Sequence, residues 1–120
     1  MIAGKVWGRT KLLLSTPSLE VHLLSVDPFA RCSMHCHRTR WNAFVVISGT
    51  LFVEVRQEEY GLVDVTVLTN GQLTTVRPGL WHRFRTEGEG ARCVEVYYPD
   101  ALGAADIERE DVGGRTEGTE

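Results

Sequence analysis

The sequence predicts an all-β domain, a sandwich or barrel of short strands. Apolar and β-branched runs recur along the 120 residues, punctuated by turn-forming Gly, Pro, Asn and Asp. The helical candidate is a single short stretch over 101–109, rich in Ala and Glu. Short strands at such regular spacing build sandwiches and barrels.

The elements follow in chain order. Runs 12–15 and 19–26 come first, and Asp27-Pro28 closes the second. Run 31–37 carries two histidines, and runs 43–48 and 51–56 lie on either side of Ser48-Gly49-Thr50. Asn70-Gly71 separates 63–68 from 73–76. Pro78-Gly79 leads into 82–85, and Gly88-Glu89-Gly90 into 93–98. Asn-Gly and Pro-Gly suit tight turns because glycine tolerates positive φ and proline presets its own. Residues 1–110 read as one domain. Residues 111–120 have almost no apolar content and read as an acidic, flexible tail.

A chain of 120 residues can bury roughly two-thirds of its unfolded surface without disulfide staples. Its charged fraction of 24% and hydrophobic fraction of 42% are ordinary globular values. A formal charge of -3 argues against a nucleic-acid partner. No window reaches the length of a membrane span, and Met1-Ile2-Ala3-Gly4-Lys5 lacks the apolar run of a signal peptide. Cys32, Cys36 and Cys93 are odd in number and without framework spacing. They read as free thiols in a reducing cytoplasm.

His35-Cys36-His37 carries the most chemical information. Side chains two apart on a strand share a face, so His35 and His37 can aim at one point while Cys36 turns away. A third imidazole, His82, follows the Pro78-Gly79 turn and would complete three corners of a transition-metal site. The expected cofactor is one divalent transition metal from among Zn, Fe, Ni, Co, Mn and Cu. His22, in Leu19-Glu20-Val21-His22-Leu23, lies outside this pattern and reads as a surface or packing residue.

These residues carry a family resemblance. Met34-His35-Cys36-His37 with Phe44 to Thr50 resembles the first cupin motif, and Gly71 with Arg77-Pro78-Gly79-Leu80-Trp81-His82 resembles the second. Lys5-Val6-Trp7-Gly8, Val94-Glu95-Val96 and Asp106-Ile107-Glu108-Arg109 extend the similarity. The nearest pattern is the cupin domain of type II mannose-6-phosphate isomerases, which also ends the bifunctional mannose-1-phosphate guanylyltransferases. The resemblance implies a single-domain jelly-roll barrel with a divalent metal inside, often in a homodimer. The chain departs from the pattern at named places. Asn42 stands for the motif glutamate, Phe29 for a glycine, Arg77 for a proline and Thr86 for an asparagine. The isomerase-like His-Arg-Ala-Glu becomes His37-Arg38-Thr39-Arg40.

Three imidazoles without a carboxylate leave the full charge on a bound ion, which makes it a stronger Lewis acid. Asn42 could add an amide oxygen to the ion or hydrogen-bond a water beside it. Arg38, Arg40 and Arg77 are candidate ligands for an anionic small molecule such as a sugar phosphate. Arg83 should face away from His82. Glu95 shares a strand face with Tyr97 and is the candidate general base. Three functions follow: a metal-dependent sugar-phosphate isomerase, a non-catalytic carbohydrate or small-molecule binding module, and a three-histidine iron dioxygenase.

Overall fold

A computed structural model describes residues 2–57 and 61–99. Nine strands lie within them: β1 (Ile2–Lys5), β2 (Gly8–Thr16), β3 (Leu19–Val26), β4 (Arg40–Gly49), β5 (Leu51–Gln57), β6 (Leu62–Leu68), β7 (Leu73–Val76), β8 (His82–Arg85) and β9 (Ala91–Pro99). No helix occurs among the described residues. The helix expected over 101–109 and the tail over 111–120 lie outside them. None of the described residues form a helix long and apolar enough to cross a membrane.

The strands form two antiparallel sheets. One has the order β1-β2-β3-β9-β4-β7 and the other β6-β5-β8. Antiparallel partners directly opposite each other share a face, so register shows what lies inside. Leu24 pairs with Cys93, and Val46 pairs with Cys93 from the other side. Val53 pairs with Phe84 in the smaller sheet. These residues are buried in one core with Trp7, Phe44 and Leu51. Trp7 meets Phe84 edge to face at 4.9 Å between ring centroids, a favoured aromatic geometry.

Alternation places Glu20, His22, Leu24 and Val26 of β3 on this inner face. The same holds for Tyr97, Glu95, Cys93 and Ala91 of β9, and for Asn42, Phe44 and Val46 of β4. Each strand is therefore polar at one end of the interior and apolar at the other. The opposite face of the large sheet is aliphatic, with Val21, Leu23, Val45, Val94 and Val96 in adjoining register and exposed Leu14 and Leu73 beside them.

The structure corrects two expectations. No regular strand spans 31–37. That segment meets β8 only through isolated bridges, Arg31 to Arg85 and His35 to His82. Three residues separate the bridges on one side and two on the other, so the extra residue breaks the ladder. The Cys32 thiol sulfur accepts the Phe84 N–H at 3.2 Å within the gap. Second, Ile2–Lys5 forms an edge strand that no sequence signal marked. Its Ala3 and Gly4 have little β preference, and pairing with Arg9 and Thr10 supplies what local propensity does not.

The β4–β5 connection depends on one glycine. Gly49 has φ +81, and a Cβ there would lie 2.0 Å from the Gly90 carbonyl oxygen. Only glycine fits both the backbone angle and the close approach.

Candidate metal centre

His35, His37 and His82 converge. One ring nitrogen from each lies within 4.8 Å of the others. Ring centroids stand 5.1 Å apart for His35–His37, 4.5 Å for His35–His82 and 5.6 Å for His37–His82. The backbone brings them together. His35 and His82 exchange N–H···O bonds of 2.9 and 2.8 Å, and Gly79 N–H donates to the His37 carbonyl at 2.8 Å. The Pro78-Gly79 turn is thus tied to the first histidine pair.

The rings are also oriented. His35 Nδ1 lies 2.8 Å from the Ser33 carbonyl oxygen, and His82 Nδ1 lies 3.0 Å from that of Leu80. A carbonyl only accepts, so each Nδ1 carries the proton and each Nε2 keeps its lone pair, as in histidines that bind metals. Burial holds the His82 imidazole neutral by pushing its pKa down to about 4. Burial lowers that of His37 too, helped by the neighbouring His35 and Arg40. Among the described residues, His37 Nε2, His82 Nε2 and Asn42 Oδ1 are buried without a hydrogen-bond partner. Orphaned buried acceptors are costly unless something outside the protein chain takes them. The donor set therefore fits a divalent transition ion. Cys36 is half-buried and outside the cluster.

Asn42 is fully buried on β4, and its Nδ2–H donates to Glu95 Oε2 at 3.1 Å. Glu95 is 5% exposed. Its carboxyl is pushed up to about 7, because burial outweighs the hydrogen bonds from Tyr97 and Asn42. Tyr97 lies edge-on to His37 with centroids 5.1 Å apart. A cavity of about 210 Å³ is lined by His35, Glu95 and Tyr97 and runs on to Lys5, Thr10 and His22.

The three arginines named from the sequence do not line this cavity. Arg38 and Arg77 are exposed. Arg40 pairs with Glu20 at 3.5 Å and lies over the Tyr97 ring at 5.0 Å. It borders a second cavity of about 320 Å³ with Glu20 and Tyr98. Arg83 points outward and bonds Glu54. There burial alone would raise the Glu54 carboxyl, but Arg83 and Arg85 hold it below its ordinary range. His22, read from the sequence as a surface or packing residue, stands on the wall of the first cavity. Thr10 on that wall drew no notice in the sequence. A signal existed: alternation in Leu19–Val26 places Glu20 and His22 on the face of Leu24 and Val26.

Comparison with known proteins gives this geometry its context. The chain is 35% identical over 112 residues to the alginate biosynthesis protein AlgA of Pseudomonas putida, covering 92% of the chain and 22% of the relative. It is 30% identical over 111 residues to a mannose-1-phosphate guanylyltransferase of Klebsiella pneumoniae, covering 91% of the chain and 22% of the relative. The chain thus spans less than a quarter of the length of the curated relatives it matches. Among solved structures, KdgF from Halomonas sp. superposes with a TM-score of 0.68 at 16% identity, over 81% of this chain and 84% of that one. The cupin domain model matches residues 22–97, well over half of the sequence, and the chain belongs to the cupin family.

Proposed function

We propose that the chain binds and isomerises a phosphorylated sugar at a metal held by His35, His37 and His82. The observation that carries this reading is the placement of His35 and the buried Glu95 on the walls of one cavity. The ion is one of Zn, Fe, Ni, Co, Mn and Cu, and when bound it supplies Lewis-acid polarisation of a substrate carbonyl. Glu95 takes the proton from the carbon beside the carbonyl and returns it to the former carbonyl carbon. The hydroxyl proton crosses between the two oxygens in the same sense, from the hydroxyl oxygen to the former carbonyl oxygen, so an aldose becomes a ketose without net gain or loss. A carboxyl pushed up to about 7 exchanges protons readily near neutral pH. Asn42 holds Glu95 through its amide N–H and keeps Oδ1 for a ligand hydroxyl or the ion.

Arg38 and Arg77 flank the segments bearing the histidines and offer guanidinium forks to the phosphate. Arg40 is engaged by Glu20 and steadies the wall instead. The similarity to a mannose-1-phosphate guanylyltransferase supports a phosphorylated mannose as the substrate class. The protein works in the cytoplasm as a homodimer, joined through the aliphatic outer face of the large sheet. Light scattering checks the mass.

The test is elemental analysis followed by turnover. Wild type should hold about one equivalent of metal and His37→Ala none. Metal at a hundredfold excess over its Kd should stabilise wild type by about 2.7 kcal/mol and leave the variant unmoved. Loaded wild type should convert mannose 6-phosphate to fructose 6-phosphate. Wild type that resists reconstitution overturns the centre. A second reading, a binding module without turnover, is favoured by Asn42 in place of the motif glutamate. Saturable binding with no product would decide for it.

A further inference from the structure

The cavity that His35 lines also carries a built arrangement outside the metal centre. His22 and Glu95 are direct cross-strand partners on β3 and β9. His22 Nε2 lies 2.8 Å from Glu20 Oε1, and His22 Nδ1 lies 3.4 Å from Thr10 Oγ1. The Tyr97 ring abuts His22 edge-on at 5.8 Å, and Arg40 braces the other carboxylate oxygen of Glu20 at 3.5 Å. A surface histidine has no need of neighbours on three strands.

Hydrogen-bond direction follows from the partners. The Glu20 carboxylate only accepts, so His22 Nε2 carries the proton. In the neutral ring Nδ1 then accepts, and the Thr10 hydroxyl must donate to it. With its one proton committed to His22, Thr10 Oγ1 offers only lone pairs to the cavity. A hydroxyl free to rotate serves donor and acceptor alike; this one is fixed as an acceptor.

We propose that Thr10 is a specificity-determining contact that reads a hydroxyl donor on the ligand, and that His22, held by Glu20, is the positioning residue that sets its polarity. The ligand class is a polyhydroxylated small molecule, carrying one reacting group to the histidine centre and another hydroxyl to Thr10. This deepens the sugar-phosphate reading and rests on the same cavity, but needs no turnover.

The experiment is calorimetric titration of the metal-loaded protein with mannose 6-phosphate and with mannitol. Wild type, Thr10→Ser, Thr10→Val, His22→Phe and the Thr10→Val/His22→Phe double variant are compared. Thr10→Ser should bind like wild type. Thr10→Val should bind about tenfold more weakly, the loss expected for one hydrogen bond in a shielded site. His22→Phe should lose less, because the freed Thr10 hydroxyl can still accept, and the double variant should lose no more than Thr10→Val. Metal content should stay constant throughout, which separates a ligand contact from a structural role. Equal binding by wild type and Thr10→Val, or additive losses in the double variant, overturns the proposal and leaves the sugar-phosphate reading standing. Wild type that binds neither probe overturns both. Binding with the expected pattern but without conversion of mannose 6-phosphate supports the Thr10 contact and removes only the isomerisation.

Discussion

The two ends of the interior differ although the same strands build both. On β3 the inward residues run Glu20, His22, Leu24, Val26; on β9, read from the other direction, Tyr97, Glu95, Cys93, Ala91. β4 passes from Asn42 to Phe44 and Val46, and β8 from His82 to Phe84. The apolar end is a sealed core, with Leu24, Phe44, Val46, Leu51, Val53 and Cys93 all almost fully buried. At the polar end Asn42, His82 and Glu95 are buried while Glu20, His22, His35, His37 and Tyr97 are half-buried, and among the described residues it keeps three buried polar atoms unpaired and a carboxyl near neutrality. Burying polar groups opposes folding. The difference separates two physical roles: the apolar end holds the sandwich shut, and the polar end keeps ligating and titratable groups at the expense of stability.

The largest expected effect comes from breaking the apolar end. Phe44 stands at the boundary, paired across the sheet with Glu95 and in edge contact with Phe84 at 6.1 Å between centroids. Phe44→Ala removes a fully buried ring and should destabilise the domain by about 3–5 kcal/mol. Denaturant unfolding measures it. A loss below about 1 kcal/mol would mean that the site collapses around the deletion, and that the apolar end is not the close-packed body described here.

Next in size is a change at the polar end with the opposite sign. The Glu95 carboxyl titrates higher in the folded protein than its ordinary 4.5, at about 7, chiefly through burial. Its folded state binds the proton more tightly than the unfolded chain does. The contribution to stability is therefore fully present below pH 4.5 and is lost as pH rises through about 7. A gap of that size is worth on the order of 3 kcal/mol. Glu95→Gln keeps an acceptor for Asn42 and cannot ionise. In metal-free protein it should match wild type near pH 4 and exceed it at pH 8, with the difference opening between 4.5 and 7. Equal pH profiles for the two proteins would place Glu95 in a solvated setting and dissolve the contrast between the ends.

Much of this contrast was legible in the sequence. Period-two alternation and turn residues located most strands, because both are local properties of the backbone. The His35, His37 and His82 cluster was legible because its spacing is tied to two turns. Glu95 could be read as inward because Tyr97 shares its face. What escaped depends on long-range partners. The broken ladder at 31–37 arises from a one-residue mismatch with β8, which no window of the chain contains. The strand Ile2–Lys5 exists only because β2 pairs with it. The place of Arg40 escaped for a related reason: sequence proximity to a histidine says nothing about which side of Tyr97 a guanidinium lies on, and Arg40 lies with Glu20. Thr10 and His22 belong to two strands, and their joint meaning appears only when register sets them diagonal to one another.

The smallest expected effect tests a point outside both ends. Phe29 stands where the family motif carries glycine, and it has φ +52, a left-handed backbone that side chains avoid. Phe29 is 82% exposed, so little packing offsets the strain. The backbone is held there because Phe29 N–H donates to the Glu87 carbonyl at 2.8 Å, clamping the end of β3 to the turn after β8. Phe29→Gly relieves roughly 1–2 kcal/mol of steric cost and gives back part of it through the greater freedom of glycine in the unfolded chain. The net gain should be about 0.5–1 kcal/mol, read as a higher unfolding midpoint at unchanged metal content. A loss of stability instead would show that the exposed ring is covered, and the outer surface beside Glu87 would then be a contact surface rather than a strained loop.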